Sequence, residues 1–202
     1  MTDMNTGSDM SVNPRYPTDL KRCQLTHLHS FTKGMTVYKQ GETAKEFYYV
    51  NNGLIGLYHT LDNGKESLVR LYQKGDYFGY RTLFGDDGYH CNAKVLVEAE
   101  IIRIKPKDID TFFVENPQMS KFLLQSLANE LREAEQRLAK SAYLRTLDRV
   151  IDSIYFLTEN FPYYNWTHRE IAEYAGCETE TAIRITKELK RNGLLQDWHK
   201  QK

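Results

Sequence analysis

Four charged side chains near the end of the sequence are spaced to act together. Glu180, Arg184, Lys187 and Arg191 recur at intervals of 4, 3 and 4 residues, which on a helix places them on one face. Arginine can donate two hydrogen bonds to a guanine edge, and glutamate can accept one from cytosine N4. A Glu/Arg pair one turn apart therefore has the chemistry to read adjacent base pairs. The same spacing is also that of an intrahelical salt bridge on a solvated face. Local charge favours the first reading. From Thr181 to Lys202 there are six Lys/Arg and two Asp/Glu, a net of +4, in a chain whose 27 basic and 27 acidic residues cancel. A basic helix within a neutral protein is what phosphate contact requires.

The elements that would carry this face are written around it. Residues 166–195 read WTHREIAEYAGCETETAIRITKELKRNGLL. Thr167 and Glu170 form a T-x-x-E capping box that opens a short helix. AGC then makes a tight turn centred on Gly176. A second helix is expected from Thr179 to Arg191, with Ala182, Ile185 and Leu189 on its apolar face. Asn192-Gly193 ends it in the manner of a C-cap. Two short helices, a glycine turn and an exposed polar face on the second helix make a helix-turn-helix. Its expected contacts to double-stranded DNA are Thr167, Thr179, Glu180, Thr181, Arg184, Lys187 and Arg191.

Upstream, the pattern is different. Gly41, Gly53, Gly64 and Gly75 fall about 11 residues apart, separating the β-rich runs MTVYKQ, EFYYV, LIGLYHT and ESLVRLY. Two more runs, NAKVLVE and IIRIK, close the series. NNG (51–53) and DNG (62–64) read as hairpin turns. Short strands at even spacing predict a small jelly roll or sandwich. At Pro106 the period changes, with a short helix over Lys107–Asn116. A long run from residue 118 to 144 then carries no Gly or Pro. Leu124, Leu127, Leu131, Ala134 and Leu138 in it are spaced 3, 4, 3 and 4. That is an a/d seam, suited either to a homodimer interface or to packing on the chain's own sheet. A further helix over Arg145–Thr158 leads to the aromatic loop ENFPYYN.

Composition excludes several classes of function. The chain has 202 residues, 41% hydrophobic and 27% charged, enough for one medium and one small domain. No run approaches the length of a membrane helix, and MTDMNTGSDMSVNP lacks the features of a signal peptide. The three scattered cysteines, Cys23, Cys91 and Cys177, suggest reduced thiols and a cytoplasmic protein. No G-x-S-x-G, Walker loop or paired-histidine metal motif supports an enzyme. Cys23, His27 and His29 offer three ligand types without a fourth and are read as a surface or loop feature, so neither metal nor cofactor is expected.

Taken together, QGETAKEFYYVNNG, KGDYFG and REIAEYAGCETETAIRITKEL resemble the cyclic-AMP receptor protein/FNR family of bacterial transcription regulators. The likeness covers nearly all of the chain after about residue 20. It implies an α+β fold: a jelly-roll-like N-terminal β-roll, a long dimerisation helix and a C-terminal winged helix-turn-helix. The expected division is a flexible tail at 1–18, the roll at 19–116, the dimerisation helix at 117–143 and the DNA-binding domain at 144–202. It also implies that the Leu124–Leu138 seam joins a homodimer on a two-fold operator. RNA polymerase is an expected partner, through the His27/His29 patch or the loop Glu159–Asn165. Only LLQDWHKQK follows the recognition helix, so the wing is either rudimentary or shortened.

The resemblance also shows what this chain has changed. In the family's cyclic-nucleotide binders a Gly-Glu-Leu holds the ribose and a later Arg-Ser-Ala supplies the phosphate arginine. Here Gly79 remains, Tyr80 stands at the glutamate position, and Cys91-Asn92-Ala93 replaces Arg-Ser-Ala. Ala134 and Glu135 stand where Thr and Ser would meet the purine. Thr179 replaces the first arginine of the recognition pattern, while Glu180 and Arg184 match its base readers. The lone Cys23 does not supply the iron–sulfur ligands of the FNR class. The expected consequence is a regulator that does not respond to cyclic AMP and whose effector is unknown. Arg81 and His90 are left to neutralise some other anion. Alternatively, Arg81 pairs with Asp86 or Asp87 and side chains such as Tyr80 fill the pocket.

Overall fold

The computed structural model describes residues 16–85 and 87–195. Strands β1 (Cys23–Phe31), β2 (Thr36–Tyr38), β3 (Phe47–Thr60), β4 (Glu66–Gln73), β5 (Tyr77–Phe78) and β6 (Asn92–Pro106) form one antiparallel sheet. Its order is β1-β6-β3-β4, with β2 paired to β6 and β5 to β3. Helices α1 (Ile109–Glu115), α2 (Pro117–Tyr143), α3 (Thr146–Asn160), α4 (His168–Ala175) and α5 (Thr179–Arg191) follow. The architecture is the expected α+β roll, long helix and helix-turn-helix.

The two longest strands explain how the sheet is buried on both faces. In the first part of β3, Tyr48 and Val50 enter an aromatic core with Tyr38, Phe78 and Tyr89. Phe47 points the other way, into a core shared with Phe112 of α1 and Leu123 of α2. Beyond Gly53 the parity reverses: Ile55 and Leu57 enter the aromatic core, and Leu54 and Tyr58 face α3 and α4. One extra residue is enough to flip every later side chain to the other face.

That bulge is the NNG expected to be a hairpin turn. The strand instead runs straight through it, paired with β6 on both sides and with register shifts between Val50, Asn52 and Leu54. Gly53 sits at φ +99°, and a Cβ there would lie 2.5 Å from Glu98 O and 2.6 Å from the Ala99 methyl. The close approach of β6 is thus what requires glycine at this point. DNG behaves as expected and turns the β3–β4 hairpin, with Gly64 N–H donating to Leu61 O (2.8 Å) and Leu61 N–H to Lys65 O (2.9 Å). NAKVLVE and IIRIK, read as two runs, are one strand, β6.

Two further differences lie at the N-terminal side. Cys23, His27 and His29 belong to a strand, β1, which pairs with β6 from Cys23↔Pro106 to Phe31↔Ala99. The imidazoles of His27 and His29 stack on its outer surface, 6.2 Å apart. Of the expected tail at 1–18, residues 1–15 lie outside the described residues, and 16–18 are packed. Tyr16 packs edge-on against Tyr49, and the buried Pro17 starts a 3-10 turn, Pro17–Asp19.

The helical half starts from deliberate caps. The Asp108 carboxylate accepts from Thr111 N–H (2.8 Å) at the start of α1. Buried Asn116 pairs with both backbone groups of Lys21 (2.8 and 2.9 Å) where α1 passes to α2. Pro117 occupies the first turn of α2, where a missing N–H costs nothing. No described helix is long and apolar enough to cross a membrane.

Candidate nucleic-acid interface and effector pocket

The helix-turn-helix forms as its local signals dictate. Thr167 Oγ1 accepts from Glu170 N–H (3.2 Å), and Glu170 Oε2 accepts from Thr167 N–H (2.9 Å), completing the capping box of α4. Gly176 ends α4 in the left-handed region at φ +70°, and Cys177 N–H returns to Ala172 O (3.0 Å). Helix α5 buries Ala182, Ile185, Thr186 and Leu189. Its other face leaves Glu180, Arg184, Lys187 and Arg191 in solvent, with Thr179 and Thr181 half-buried at the leading end. Among the described residues these four charges make no ion pair, so the Glu180–Arg184 bridge that the spacing also allowed is not formed. Thr167 is exposed at the start of α4, and the tail residues 196–202, with most of the expected wing strand, lie outside the described residues.

This unit is fastened to the rest of the molecule. Leu54, Tyr58, Leu68 and Leu96 of the roll share one core with Val150, Ile154, Leu157, Trp166, Ile171 and Ile185. Arg149 of α3 donates to Leu144 O (3.0 Å), Ala175 O (3.2 Å) and Gly176 O (3.3 Å), fixing the turn between the two reading helices. Lys65, at the tip of the β3–β4 hairpin, pairs with Glu178, the N-cap residue of α5. Arg137 of α2 donates to Val69 O (2.6 Å) and Leu68 O (3.2 Å) on β4 and to Tyr174 O (2.8 Å) on α4, and its guanidinium lies 4.4 Å from the Tyr174 ring.

The expected effector residues come together, but around little space. Gly79 adopts φ +77° and starts a 3-10 turn, Tyr80–Leu83, after β5. Gly79, Tyr80, Arg81 and His90 line a cavity of about 10 Å³, together with Tyr72 and Glu130; that is room for about one water molecule. Ala93 and Cys91 do not line it but are fully buried in the aromatic core with Tyr38, Tyr72 and Tyr89. Burial pushes the Cys91 thiol up to about 12, so at neutral pH it is a neutral, unreactive group. Asn92 is spent on structure: its Oδ1 accepts from Gln40 N–H (3.0 Å) and its Nδ2 donates to Thr60 Oγ1 (2.8 Å). His59 Nδ1 lies 2.9 Å from His90 O, which fixes that segment's backbone. Of the expected alternatives for Arg81, Asp86 lies outside the described residues.

Four polar residues that sequence reasoning passed over or cast in another role meet at this pocket. The Tyr80 hydroxyl, 2% exposed as a residue, donates to Glu130 Oε1 on α2 (2.7 Å). Tyr72 donates to the same oxygen (2.9 Å), and Arg70 Nη1 lies 2.6 Å from Glu130 Oε2. Ala134 and Glu135, the positions expected to face a purine, are exposed instead. The usable signal was in β4: LVRLY (68–72) sets an arginine two residues from a tyrosine in an otherwise apolar run, and residues two apart on a strand share a face.

Helix α2 divides its apolar residues between two sides. Met119 and Leu123 are buried in the core under the roll, and Leu127 packs against it. Leu127 therefore departs from the expected seam. Leu124, Leu131 and Leu138, one heptad apart, are 53%, 60% and 71% exposed, and Ala134 is exposed between them.

Comparison with known proteins agrees with this arrangement. The profile of the cyclic nucleotide-binding domain matches residues 28–116. An uncharacterized protein of Haemophilus influenzae is 48% identical over 123 residues, which is 60% of this chain and 95% of that protein. The cAMP-activated global transcriptional regulator CRP of the same organism is 28% identical over 179 residues, 84% of this chain and 80% of its own. The solved structure of a CRP/FNR-family transcriptional regulator from Thermus thermophilus superposes with a TM-score of 0.69 at 24% identity, covering 86% of this chain and 89% of that one. The relatives of known role are regulators, not enzymes, and the chain belongs to the cyclic-AMP receptor protein/FNR family of transcription regulators.

Proposed function

We propose that the protein is a homodimeric, sequence-specific DNA-binding regulator that works without cyclic AMP. The observation that carries this reading is the division of α5. Its apolar side is buried against α3 and α4, while Glu180, Arg184, Lys187 and Arg191 stand in solvent, without an ion pair among the described residues. With α5 in the major groove, Glu180 and Arg184 read base edges. Thr167, Thr179, Thr181, Lys187 and Arg191 set register on the phosphates.

Leu124, Leu131, Ala134 and Leu138 supply the dimer seam, since a heptad stripe of exposed leucines on a 27-residue helix has no partner among the described residues of the chain. A two-fold dimer then presents two α5 helices to a two-fold operator. The working division is roll 19–116, dimer helix 117–143 and reading domain 144–202, with RNA polymerase meeting the exposed surface near the Glu159–Asn165 loop. In the pocket, Cys91 holds the position at which the resemblance implies a phosphate arginine, and Arg81 lines the cavity from the turn after β5. The remaining cavity of about 10 Å³ is too small for any nucleotide.

The direct test is selection of bound duplexes from a random pool, followed by titration of the enriched site and of random DNA over a range of salt. The expected result is an enriched two-fold motif with a steep salt slope. Equal affinity for all duplexes refutes sequence-specific reading, and salt-independent or absent binding refutes DNA binding altogether.

A further inference from the structure

We propose that Arg70, Tyr72 and Tyr80 form a carboxylate-binding site whose occupant is the chain's own Glu130, so that the long helix is seated on the roll by an internal ligand. The inference rests on reading the roll as a regulator's effector domain, and it names what fills that domain.

The geometry is that of a ligand site. Both oxygens of one carboxylate are engaged. Oε1 accepts from Tyr72 (2.9 Å) and Tyr80 (2.7 Å), and Oε2 lies 2.6 Å from Arg70 Nη1. Arg70 Nη2 also donates to the Glu130 carbonyl (3.0 Å), so one guanidinium grips both the side chain and the backbone of the helix. The donors come from β4 and from the turn after β5, 50 to 60 residues away in sequence. The Arg70 and Glu130 side chains are only 18% and 13% exposed. An ion pair taken this far out of water is held only when its remaining polar valences are met. Here two tyrosine hydroxyls meet those of the carboxylate, and burial keeps both phenols protonated and donating. Among the described residues Arg70 Nε is buried with no partner, so the guanidinium keeps donor capacity beyond what Glu130 uses.

The position is the second argument. Glu130, Tyr72 and Tyr80 form the wall of the same cavity as Gly79, Arg81 and His90. A solution anion arriving there finds the Arg70 cation already neutralised. The occupant also sits on a helix with a further task. Seven residues on, Arg137 ties β4 to Tyr174 of the reading domain. A helix seated by Glu130 is thereby held in the register at which Arg137 makes both bonds.

The test is chemical rescue. Glu130→Ala empties the seat and leaves the cradle. The full-length variant is expected to melt lower than the parent by about 5 °C or more. Acetate or propionate should recover part of that loss relative to chloride at matched ionic strength. Parent protein, whose seat is filled, and the double variant Arg70→Met/Glu130→Ala, whose cation is gone, should not respond. A Glu130→Ala protein that melts with the parent overturns the proposal. So does a carboxylate effect of the same size in the double variant. If Glu130→Ala does not fold, Glu130→Gln keeps the shape and removes the charge. It is expected to melt lower than the parent, and parental melting by that variant overturns the proposal equally. Melting needs no DNA, so rescue in a protein that fails to bind duplexes leaves the cradle standing and removes only the regulator reading. Salt-dependent DNA binding without rescue does the reverse.

Discussion

Two charged clusters in this molecule are disposed in opposite ways. On α5, Glu180, Arg184, Lys187 and Arg191 project into solvent and, among the described residues, form no ion pair. Where the roll meets α2, Arg70 and Glu130 turn inward, and every oxygen of the carboxylate has a donor. Among the described residues the first cluster is unpaired, and the carboxylate of the second is fully engaged. Hydrated charges carried on a rigid helix lose little when they meet phosphates and base edges, because the helix already fixes their spacing. A buried pair whose carboxylate is already fully engaged offers an incoming anion no such gain. The contrast favours the helix-turn-helix as the surface that meets other molecules, with the pocket serving as part of the frame.

The contrast can be broken most severely at the dimer seam. Leu131→Glu places a charge in the exposed heptad stripe. By light scattering the variant should be monomeric, with affinity for a two-fold site reduced by about 100-fold or more, since linkage of the two reading helices is lost. Dimers of undiminished stability would show that the seam packs elsewhere. Next in size is Arg184→Ala, expected to cost about 1–3 kcal/mol on the selected site and much less on random DNA. Equal losses on both would reduce Arg184 to a phosphate contact. Lys187→Ala should weaken binding evenly across sequences and lower the salt slope by about 1. A change in sequence preference would instead make Lys187 a base reader. The smallest expected effect is none: millimolar cyclic AMP should leave melting and DNA affinity unchanged. A ligand at 100 times its dissociation constant adds about 2.7 kcal/mol of stability, so even modest binding would show as a shift.

The same contrast separates what the sequence reveals from what it conceals. Every feature of the reading unit is local. The Thr167–Glu170 box, the left-handed Gly176 and the spacing of Ala182, Ile185 and Leu189 are each set within a few residues, and the structure places all of them as the pattern requires. The pocket is assembled from residues 50 to 60 apart. The departures from the ribose and phosphate residues that the resemblance implies are legible at Tyr80 and Cys91. The replacement of those residues is not, because the helix position that enters the pocket is Glu130 and not Ala134 or Glu135. The turn at 51–53 failed for a related reason. Asn-Gly chemistry suits a hairpin and a bulge equally, and only the pairing of β3 with β6 on both sides of Gly53 decides between them. Strand β1 hid behind its two histidines, which read as a surface or loop feature and prove to be the exposed face of a strand.

The core that joins roll to reading domain has a consequence for how the molecule comes apart. Leu54, Tyr58, Leu68 and Leu96 on one side and Trp166, Ile171 and Ile185 on the other are buried by each other. Separating the two halves would expose apolar surface on both, an opening that each half alone has nothing to offset. Heating should therefore produce one calorimetric transition, with the sheet and the helix-turn-helix melting as a single cooperative unit.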